Sequence, residues 1–256
     1  MQEIIERENM REQKFAEIWN GVLGDAFTEL SSYYDAANNF ASLGLWNKWR
    51  NNFASGIDLT PGMRALDVCA GTNAIGMQLL KKQPELRVTA IDRSQTMQDV
   101  GKERIRRRGF EVESVISDVH KLPFSDDTFD VVTLEAASRH LRLVEVFSEI
   151  LRVLKPGGSF HHCDMLKPRS KYLEQAYLAY LRASLFATGI IFRSESNVWG
   201  CVDYFIEAIR EFYTSGELSS LLRYVGFVDV NDRSVFGGMV AFHKAVKSDT
   251  VGSKLE

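Results

Sequence analysis

The chain is poor in cysteine and contains no long apolar run, and each shortage excludes a class of protein. Its three cysteines, Cys69, Cys163 and Cys201, are widely spaced and form no C-x-x-C pair. This pattern indicates buried, reduced thiols in a cytosolic protein and not a disulfide framework. The most apolar region, residues 183–192, is far shorter than the ~20 residues that span a bilayer, so no transmembrane helix is expected.

Positive charge is not in excess either. The 256 residues carry a formal net charge of -3, which argues against a nucleic acid as an electrostatically captured partner. The first 20 residues are too highly charged for a secretory signal peptide. With 45% hydrophobic and 25% charged residues, the composition is that of a soluble globular protein, and the length suits one α/β domain with additions.

A stretch between residues 64 and 93 organises the rest of the chain. The apolar run of residues 65–69 is typical of a buried strand, and it is followed by the turn Ala70-Gly71-Thr72-Asn73 and a helical pattern. A second apolar run, residues 88–91, ends on the acid Asp92. Strand, glycine turn, helix, strand and acid make up half of a nucleotide-binding α/β fold.

The same geometry serves NAD and S-adenosylmethionine, and the turn helps to choose between them. A glycine turn lets backbone N–H groups and a helix N-terminus approach a carboxylate or phosphate, and an acid about 20 residues further on accepts hydrogen bonds from a ribose diol. The dinucleotide fingerprint is Gly-x-Gly-x-x-Gly. Residues 71–76 read Gly-Thr-Asn-Ala-Ile-Gly and lack the middle glycine, so NAD is the weaker alternative.

Further elements follow in the order of an α/β fold. The patterns predict a helix over residues 94–108 with Ser94 as its N-cap, strands over residues 112–116, 131–134 and 159–164, and two closing strands near residues 226–230 and 238–243. Asp118 comes after the third strand, beside the expected ligand crevice. It either accepts a hydrogen bond from an adenine amino group or merely caps a turn.

Two adjacent histidines, His161 and His162, lie on the predicted fifth strand, near Asp164. Successive side chains of a strand point to opposite faces, so the two imidazoles do not share one ligand face. No metal site is therefore expected.

Segments outside the sheet divide the chain into parts. Residues 1–60 are predicted to form an N-terminal helical arm and cap, with the arm packed on the main domain or on a partner subunit. The α/β domain is expected over residues 61–244, with a helical lid insertion near residues 167–212 whose apolar character suits an apolar substrate. Residues 245–256 are expected to be a flexible tail.

Motifs between Tyr34 and Lys244 carry a resemblance to a known family. They are Tyr34-Asp35-x-x-Asn38, Ser42-x-Gly44, Trp49-Arg50, Leu66-Asp67-x-x-x-Gly71-Thr72, Ala90-x-Asp92, Leu122-Pro123-Phe124-x-Asp126-x-x-Phe129-Asp130, Arg139, Leu154-Lys155-Pro156-Gly157-Gly158, Lys167-Pro168 and Val240-Ala241-x-His243. In these motifs the chain resembles the ubiquinone/menaquinone biosynthesis C-methyltransferases, as a divergent member. The Tyr-Asp-x-x-Asn and Trp-Arg motifs are the more specific ones, since many class I methyltransferases share Leu-Pro-Phe and Lys-Pro-Gly-Gly.

The resemblance implies a class I S-adenosylmethionine-dependent methyltransferase, with a Rossmann-like seven-stranded α/β sheet, helices on both faces and an antiparallel last strand. It implies that the turn around Thr72 holds the methionine end, Asp92 the ribose, and Asp118 and Val119 the adenine, with Tyr34 closing over the cofactor. The implied cofactor site as a whole consists of Tyr34, Asp67, Ala70, Gly71, Thr72, Asn73, Asp92, Arg93, Asp118, Val119 and Glu135. For a small apolar or aromatic acceptor we expect contacts from Asn38, Trp46, Trp49 and Tyr177.

The chain departs from the family pattern in four places. Ala70 and Asn73 replace two glycines of Gly-Gly-Thr-Gly. Asparagine tolerates a left-handed backbone, but its side chain is expected to intrude where the methionine moiety lies. Glu135 stands at a position that serine usually holds, and residues 136–140 read Ala-Ala-Ser-Arg-His in place of Phe-Gly-Leu-Arg-Asn. Trp46 replaces a histidine.

Three functions stay open from the sequence. The first is C-methylation of a quinol or similar apolar aromatic, with His140 as base or proton relay and Arg139 stabilising the developing oxyanion. Alternatively, His140 is a satisfied loop histidine and Arg139 forms an ion pair that holds the loop. The second function is methylation of another small molecule, and the third is non-catalytic cofactor or lipid binding. We also expect a cytoplasmic protein with at most peripheral contact at the inner membrane face, and a homodimer is plausible from the exposed aromatics.

Overall fold

The structure is a computed structural model that describes residues 2–249, and it contains seven strands over this range. They are β1 (Arg64–Val68), β2 (Arg87–Asp92), β3 (Glu113–Ile116), β4 (Phe129–Glu135), β5 (Leu154–Met165), β6 (Val228–Val235) and β7 (Val240–Val246). Over these residues they form a seven-stranded sheet in the order β3-β2-β1-β4-β5-β7-β6. Strand β7 is antiparallel to both of its neighbours and the other pairs are parallel, which confirms the predicted fold class.

Helices cover the sheet and build an additional layer at one end of it. They are α1 (Gln2–Asn20), α2 (Val22–Leu30), α3 (Tyr34–Ala41), α4 (Leu45–Ser55), α5 (Ala74–Lys82), α6 (Gln95–Arg106), α7 (Leu143–Val153), α8 (Lys171–Ile191), α9 (Ser196–Gly200), α10 (Val202–Arg210) and α11 (Ser215–Val225). A short 3₁₀ turn, Ser138–His140, follows β4. Among residues 2–249, no helix combines the length and the apolar character needed to cross a bilayer.

Alternation along the strands creates two separate cores. Leu66 and Val132 belong to a large buried cluster, whereas their neighbours Ala65 and Val131 belong to a second cluster. Since successive side chains of a strand point to opposite faces, the two clusters lie on the two faces of the sheet. A third cluster packs α1 and α2 against α10. The N-terminal arm therefore packs on helices of its own chain. The sequence had left open whether it packs on the main domain or on a partner subunit.

The parallel register brings the ends of four strands to one edge. Val68 pairs with Ile91 on one side and with Leu134 on the other, and Asp92 pairs with Ile116. Ligands of open α/β sheets bind at the carboxyl ends of the strands. The turn after β1 and the residues that follow β2, β3 and β4 are thus gathered where such a ligand binds.

The observed elements differ from the predicted ones in detail. Ser94 caps α6 by accepting a hydrogen bond from the Met97 N–H, as predicted, but α6 ends at Arg106. The predicted turn at residues 155–158 lies inside β5. There the pairing with β4 shifts register, because Phe129 pairs with Leu154 but Val131 pairs with Ser159. Strand β7 extends to Val246, two residues into the predicted tail, and residues 250–256 of that tail lie outside the described residues.

Candidate active site

A large cavity of about 490 Å³ opens at the carboxyl ends of the parallel strands. We call it the large cavity. Nine of the residues assigned to the cofactor line it: Tyr34, Ala70, Gly71, Thr72, Asp92, Arg93, Asp118, Val119 and Glu135. The volume lies within the range of ligand pockets in proteins, roughly 300–1,000 Å³. Sequence motifs on five separate segments therefore converge on one space.

Asp92, at the end of β2, fastens the glycine turn. Its Oδ2 accepts a hydrogen bond from the Gly71 N–H at 2.8 Å, and its Oδ1 accepts one from the Ser94 N–H at 2.8 Å. Burial raises the pKa of Asp92 above its ordinary value, although these N–H groups favour the charged form. Each carboxylate oxygen has a second lone pair, so the same group is able to accept hydrogen bonds from a ribose diol.

Asn73 does not line the large cavity. It precedes α5 in the left-handed conformation, φ 54° and ψ 33°, and its side chain is fully buried. The side chain points toward α6: its Oδ1 accepts a hydrogen bond from Gln98 Nε2 at 2.9 Å, and its Nδ2 would lie 2.6 Å from a Cβ built on Gly101. The expectation that Asn73 intrudes at the methionine site is wrong, because the bare backbone of Gly101 gives the amide room on the other side.

Asp67 also lies outside the large cavity, behind the turn. Its Oδ1 accepts a hydrogen bond from Thr133 Oγ1 at 2.7 Å, and its Oδ2 accepts one from the Gly76 N–H at 3.2 Å. Burial raises the pKa of Asp67 to about 7. This carboxyl group ties α5 to β1 and β4, so its assignment as a direct cofactor contact is corrected.

A cluster of charged side chains joins α3 and α4 to the turn and to β4. Arg50 donates through Nε to both carboxylate oxygens of Glu135 at 3.1 Å and forms an ion pair with Asp35. Asp35 Oδ2 accepts a hydrogen bond from Thr72 Oγ1 at 2.8 Å and pairs with Arg104 at 2.5 Å. Thr72, predicted at the methionine end of the cofactor, is therefore held by the cap.

Burial and charge act in opposite directions within this cluster. Burial raises the pKa of Glu135, even though Arg50 favours its charged form. Burial would also raise the pKa of Asp35, but Arg50 and Arg104 together lower it. Tyr34, beside the cluster, has its pKa raised by burial, so its phenol stays protonated at neutral pH.

Asp118 follows β3 and both faces the large cavity and caps a turn. It accepts hydrogen bonds from the His120 N–H at 2.9 Å and from His120 Nδ1 at 2.6 Å. Burial would raise the pKa of Asp118, but the hydrogen bonds from His120 lower it. His120 Nε2 accepts from the Arg142 N–H at 3.2 Å, and Arg142 pairs with Glu12 of α1 at 3.2 Å. This rim thus connects β3 to the N-terminal arm.

The N-terminal arm forms a wall of the large cavity, which sequence reasoning missed. Its lining residues from α1, α2 and the turn between them are Glu12, Ala16, Trp19, Asn20, Gly21, Leu23, Gly24, Phe27 and Thr28. The apolar spacing in the first 30 residues predicted that the arm packs against something, but not that it encloses a ligand site.

A buried ion pair in α1 holds the loop that follows β4. Arg11 donates through Nη2 to the carbonyl oxygen of Arg139 at 3.0 Å and of Leu141 at 3.4 Å, and it pairs with Glu8. Glu8 in turn accepts hydrogen bonds from the Leu143 N–H at 2.6 Å. The arm therefore fixes the backbone on both sides of His140.

A second, small cavity of about 100 Å³ lies beside the large one. We call it the small cavity. Phe27 and Tyr34 line both cavities, so the two spaces meet at these rings. Most of its other lining residues are apolar and come from α8, α9 and α10, and its polar lining includes Arg139 and Asn38. An apolar pocket with a few polar groups is the usual form of a small-molecule site.

Arg139 lines the small cavity and also forms the ion pair that was its alternative role. Its Nη1 donates to Asp164 Oδ1 at 2.6 Å and to the Ala136 carbonyl oxygen at 3.0 Å. Asp164 is buried and also accepts a hydrogen bond from the Ser138 N–H at 2.9 Å. Among the described residues only Nη1 of this guanidinium makes hydrogen bonds, so Nε and Nη2 remain as donors for a ligand.

His140 lies on the wall of the large cavity, between the rings of Phe27 and Phe205, both 5.9 Å away. Its Nδ1 is hydrogen-bonded to the Tyr204 hydroxyl, which also accepts from Trp19 Nε1 at 2.8 Å. Burial and the nearby positive charge of Arg139 lower its pKa well below the usual value, so the ring is neutral. Its Nε2 is buried and has no hydrogen-bond partner among the described residues.

The remaining acceptor candidates are divided by the structure. Asn38 lines the small cavity, but Trp46, Trp49 and Tyr177 line neither cavity. Trp46 packs under the Arg50 guanidinium at 4.8 Å, which is the scaffolding alternative. Within residues 2–249, no group of three or more His, Cys, Asp or Glu side chains is placed to hold a metal ion.

The fold and the site define a class I S-adenosylmethionine-dependent methyltransferase. The sheet has the order and the antiparallel strand of that class, and its glycine turn and strand-end acid line one cavity. A profile of the ubiE/COQ5 methyltransferase family matches residues 9–247, and the chain belongs to this family. It is thus an enzyme that transfers a methyl group from S-adenosylmethionine.

Curated relatives are similar over almost the whole chain. The demethylmenaquinone methyltransferases of Renibacterium salmoninarum and Clavibacter sepedonicus are 33% and 34% identical, over 89% of this chain and 93% and 91% of theirs. The mitochondrial 2-methoxy-6-polyprenyl-1,4-benzoquinol methylase of Caenorhabditis elegans is 29% identical, over 86% of this chain and 78% of its own.

Solved structures share the fold. The S-adenosyl-L-methionine complex of Haemonchus contortus phosphoethanolamine N-methyltransferase 2 has a TM-score of 0.60 at 16% identity, over 80% of this chain and 53% of that one. A SAM-dependent methyltransferase from Aquifex aeolicus has a TM-score of 0.55 at 20% identity, over 77% of this chain and 89% of that one.

Proposed function

We propose that this enzyme methylates a ring carbon of a quinol or a similar apolar aromatic small molecule. The observation that carries the proposal is the small cavity, an apolar space that meets the large cavity at Phe27 and Tyr34. A methyl donor in the large cavity and an aromatic ring in the small one would face each other at this junction. The relatives that act on demethylmenaquinone and on a benzoquinol support the same class of acceptor.

The residues around the large cavity fit the proposed cofactor. Asp92 offers two carboxylate oxygens for a ribose, Asp118 and Val119 line the cavity where they are available to an adenine, and the turn at Gly71 and Thr72 lines the cavity beside the N-terminus of α5. Arg93, Ala70, Tyr34 and Glu135 complete the proposed set of contacts. When bound, S-adenosylmethionine supplies a methyl group on a sulfonium, which a nucleophile displaces in line.

The chain must then align the acceptor and remove a proton from it. Alignment alone accounts for several kcal/mol of a barrier. Arg139, with Nε and Nη2 unused within residues 2–249, is placed to stabilise an oxyanion that develops on the ring. His140 is neutral, its ring lies 5.9 Å from Phe27 at the junction of the cavities, and its Nε2 has no partner among the described residues, so we propose it as the base or proton relay of the site.

A second candidate is methylation of a different small molecule. The loop after β4 places Ser138 in a buried hydrogen bond to His162 Nε2 at 2.9 Å, where the family pattern has an apolar leucine. The side chain next to Arg139 is therefore polar here and apolar in the quinone-methylating family pattern. This difference favours a changed acceptor. The two candidates are separated by the acceptor that the enzyme turns over.

Location and assembly belong to the proposal as well. We propose a cytoplasmic enzyme that contacts the inner membrane face at most peripherally, through apolar side chains near the small cavity. Phe186, Ile190 and Ile191 at the end of α8 are 58%, 58% and 55% exposed. A homodimer that covers these side chains is the alternative, and the molar mass in solution decides between the two.

Calorimetric titration with S-adenosylmethionine and S-adenosylhomocysteine is the first test, followed by a methylation assay with short-chain quinols. The proposal expects micromolar binding of both cofactor forms and turnover of a quinol, with a loss of turnover in His140→Ala. Binding of the cofactor without turnover of any quinol would contradict the proposed acceptor class. Unchanged turnover in His140→Ala would exclude that residue as the base.

A further inference from the structure

The small cavity is too small for a fused pair of rings. Its volume is about 100 Å³. A dry protein cavity of about 150 Å³ lined by apolar side chains is filled by one benzene molecule. If the small cavity holds the acceptor ring, as the proposed function requires, then it has room for no more than one six-membered ring, because even the cavity that binds benzene is larger.

Trp199 of α9 forms part of the wall of the small cavity. Its indole lies directly on the backbone of α8 at Gly189: a Cβ built on that glycine would lie 2.6 Å from Cζ2 and 2.7 Å from Cη2 of the indole. Both residues line the small cavity. The indole therefore approaches the helix as closely as a glycine allows, and any larger residue at position 189 would push it away.

The indole is fixed in this position from three sides. Its Nε1 donates to the Ser194 carbonyl oxygen at 2.9 Å, and its ring contacts Phe186 edge-on at 5.5 Å. The helix that carries it is held by Glu29 of α2, which accepts hydrogen bonds from the Glu195 N–H at 2.5 Å and the Val198 N–H at 3.4 Å. Enlarging the small cavity at this wall breaks several of these contacts, so the volume is a property of the fold.

The same cavity offers polar groups to one ring oxygen. Arg139 lines it with a guanidinium that keeps donors unused within the described residues, and the Asn38 side chain lies on α3 beside Tyr34. A buried donor set of this kind discriminates by position. A ring that is displaced outward by a second fused ring loses these contacts as well as its fit.

We propose that Trp199 sets the size of the acceptor, and that this enzyme takes a single-ring quinol or phenol and rejects a two-ring one. The inference rests on the proposed function, because it takes the small cavity as the acceptor site. In the reaction, the bond between methyl and sulfur breaks as the bond between methyl and ring carbon forms. The sulfonium becomes a thioether, and the ring carbon gives up one proton to the base.

The test compares two acceptors that differ by one fused ring, a 2-prenyl-1,4-benzoquinol and a 2-prenyl-1,4-naphthoquinol. For the unchanged enzyme we expect kcat/KM to favour the single-ring acceptor by at least about 10-fold, since steric differences in apolar pockets are worth roughly 10–200-fold. Trp199→Ala should reduce or reverse this ratio by at least about 10-fold. Trp199→Phe, which keeps a smaller ring, should give an intermediate ratio.

A matched control removes another aromatic ring from the neighbouring helix. Tyr172 of α8 is 87% exposed and lines neither cavity, so Tyr172→Ala should keep the original ratio. Titration with S-adenosylhomocysteine shows that each variant is folded. A preference for the two-ring acceptor in the unchanged enzyme, or equal changes for both acceptors in Trp199→Ala, would overturn the inference.

A binding measurement separates this inference from the proposed function. The protein loaded with S-adenosylhomocysteine is titrated with 2-prenylphenol and with 2-prenyl-1-naphthol, and Trp199→Ala is titrated in parallel. Tighter binding of 2-prenylphenol than of 2-prenyl-1-naphthol, with a smaller difference in Trp199→Ala, supports the size limit even if no quinol is ever methylated. Equal binding of the two ligands by the unchanged protein contradicts the size limit even if quinols are turned over.

Discussion

The large and the small cavity are built by opposite means. Around the large cavity, backbone N–H groups and charged side chains at the ends of neighbouring strands hold one another, as Asp92 holds the turn at Gly71. Around the small cavity, apolar side chains of α3, α8, α9 and α10 meet with few hydrogen bonds. The first arrangement follows from the order of the strands and the second from the packing of helices outside the sheet. If the large cavity holds the cofactor and the small cavity the acceptor, as we propose, mutations should affect their recognition separately.

The largest effect is expected from a change on the acceptor side. Arg139→Lys keeps a positive charge beside the buried Asp164 but loses the remaining guanidinium donors. We expect kcat to fall by about 100–1,000-fold, the usual cost of removing an oxyanion donor. The affinity for S-adenosylhomocysteine should stay within about 2-fold, because that residue does not line the large cavity.

Arg152→Lys is the matched control for this prediction. Arg152 lies on α7, paired with Glu149 and Asp126, and lines neither cavity. The substitution Arg152→Lys should change neither kcat nor the affinity for S-adenosylhomocysteine. A parallel loss of cofactor affinity in Arg139→Lys would show that the two cavities are not separable.

The reverse outcome is expected on the cofactor side. Asp92→Asn turns one hydrogen-bond acceptor into a donor, which then faces either the Gly71 N–H or the Ser94 N–H and cannot serve both hydroxyl groups of a ribose. We expect the dissociation constant of S-adenosylhomocysteine to rise about 100-fold, as for the loss of hydrogen bonds to a charged group. Calorimetry measures it, with the exposed Asp203→Asn as control. An unchanged constant would mean that the ribose lies elsewhere.

A smaller effect concerns stability on the cofactor side. Burial raises the pKa of Asp67 to about 7, so the folded state binds its proton between about pH 4 and pH 7 while the unfolded state has released it. Stability from this group is therefore present at low pH and is lost as the pH rises through this window. Relative to Asp67→Asn, the unchanged protein should lose on the order of 1–3 kcal/mol between pH 4 and pH 8. Urea unfolding at several pH values measures the difference, and identical pH profiles would contradict it.

The smallest effect is expected where the sequence placed an acceptor contact that the structure does not. Trp49 packs against Phe236 at 5.9 Å and lines neither cavity. We expect Trp49→Leu to change kcat/KM and cofactor affinity by less than about 3-fold, after correction for the folded fraction. A selective rise in KM for the acceptor would restore this residue to the site.

The sequence predicts one side of this comparison better than the other. The ends of β1 to β4 can be read from apolar runs and the residues that follow them, because parallel strands bring these ends to one edge. This reasoning located Asp92, Asp118 and Glu135, which all line the large cavity.

Contacts between distant segments could not be predicted in this way. Arg11 contacts the carbonyl of Arg139 over 128 positions, and Tyr204 contacts His140 over 64. No local pattern records such pairs, since helical spacing shows that a face is buried and not what covers it. Trp46 and Trp49 were predicted as acceptor contacts because their segment is rich in aromatic residues. Composition does not record what a side chain faces, and neither residue lines a cavity.

The prediction for Asn73 failed in an instructive way. Its left-handed backbone was foreseen from the residue type, and φ of 54° agrees. The direction of its side chain depends on Gly101, a residue 28 positions away that by itself predicts nothing. A substitution in a motif therefore has to be judged together with the residue that faces it in three dimensions.

This pair of positions also restricts the routes by which the chain could change. A methyl group at position 101 would lie 2.6 Å from the Asn73 amide and 2.8 Å from the Thr72 backbone, so an alanine there is incompatible with the present turn. Starting from glycine at position 73, a step to asparagine is open only to a chain that already has glycine at position 101. Reversion of Asn73 to glycine would remove the contact with the amide, but the Thr72 backbone would still exclude a Cβ at position 101. The asparagine side chain thus packs on a helix whose first turn lines the large cavity, so the packing behind the glycine turn and the proposed cofactor site share one element.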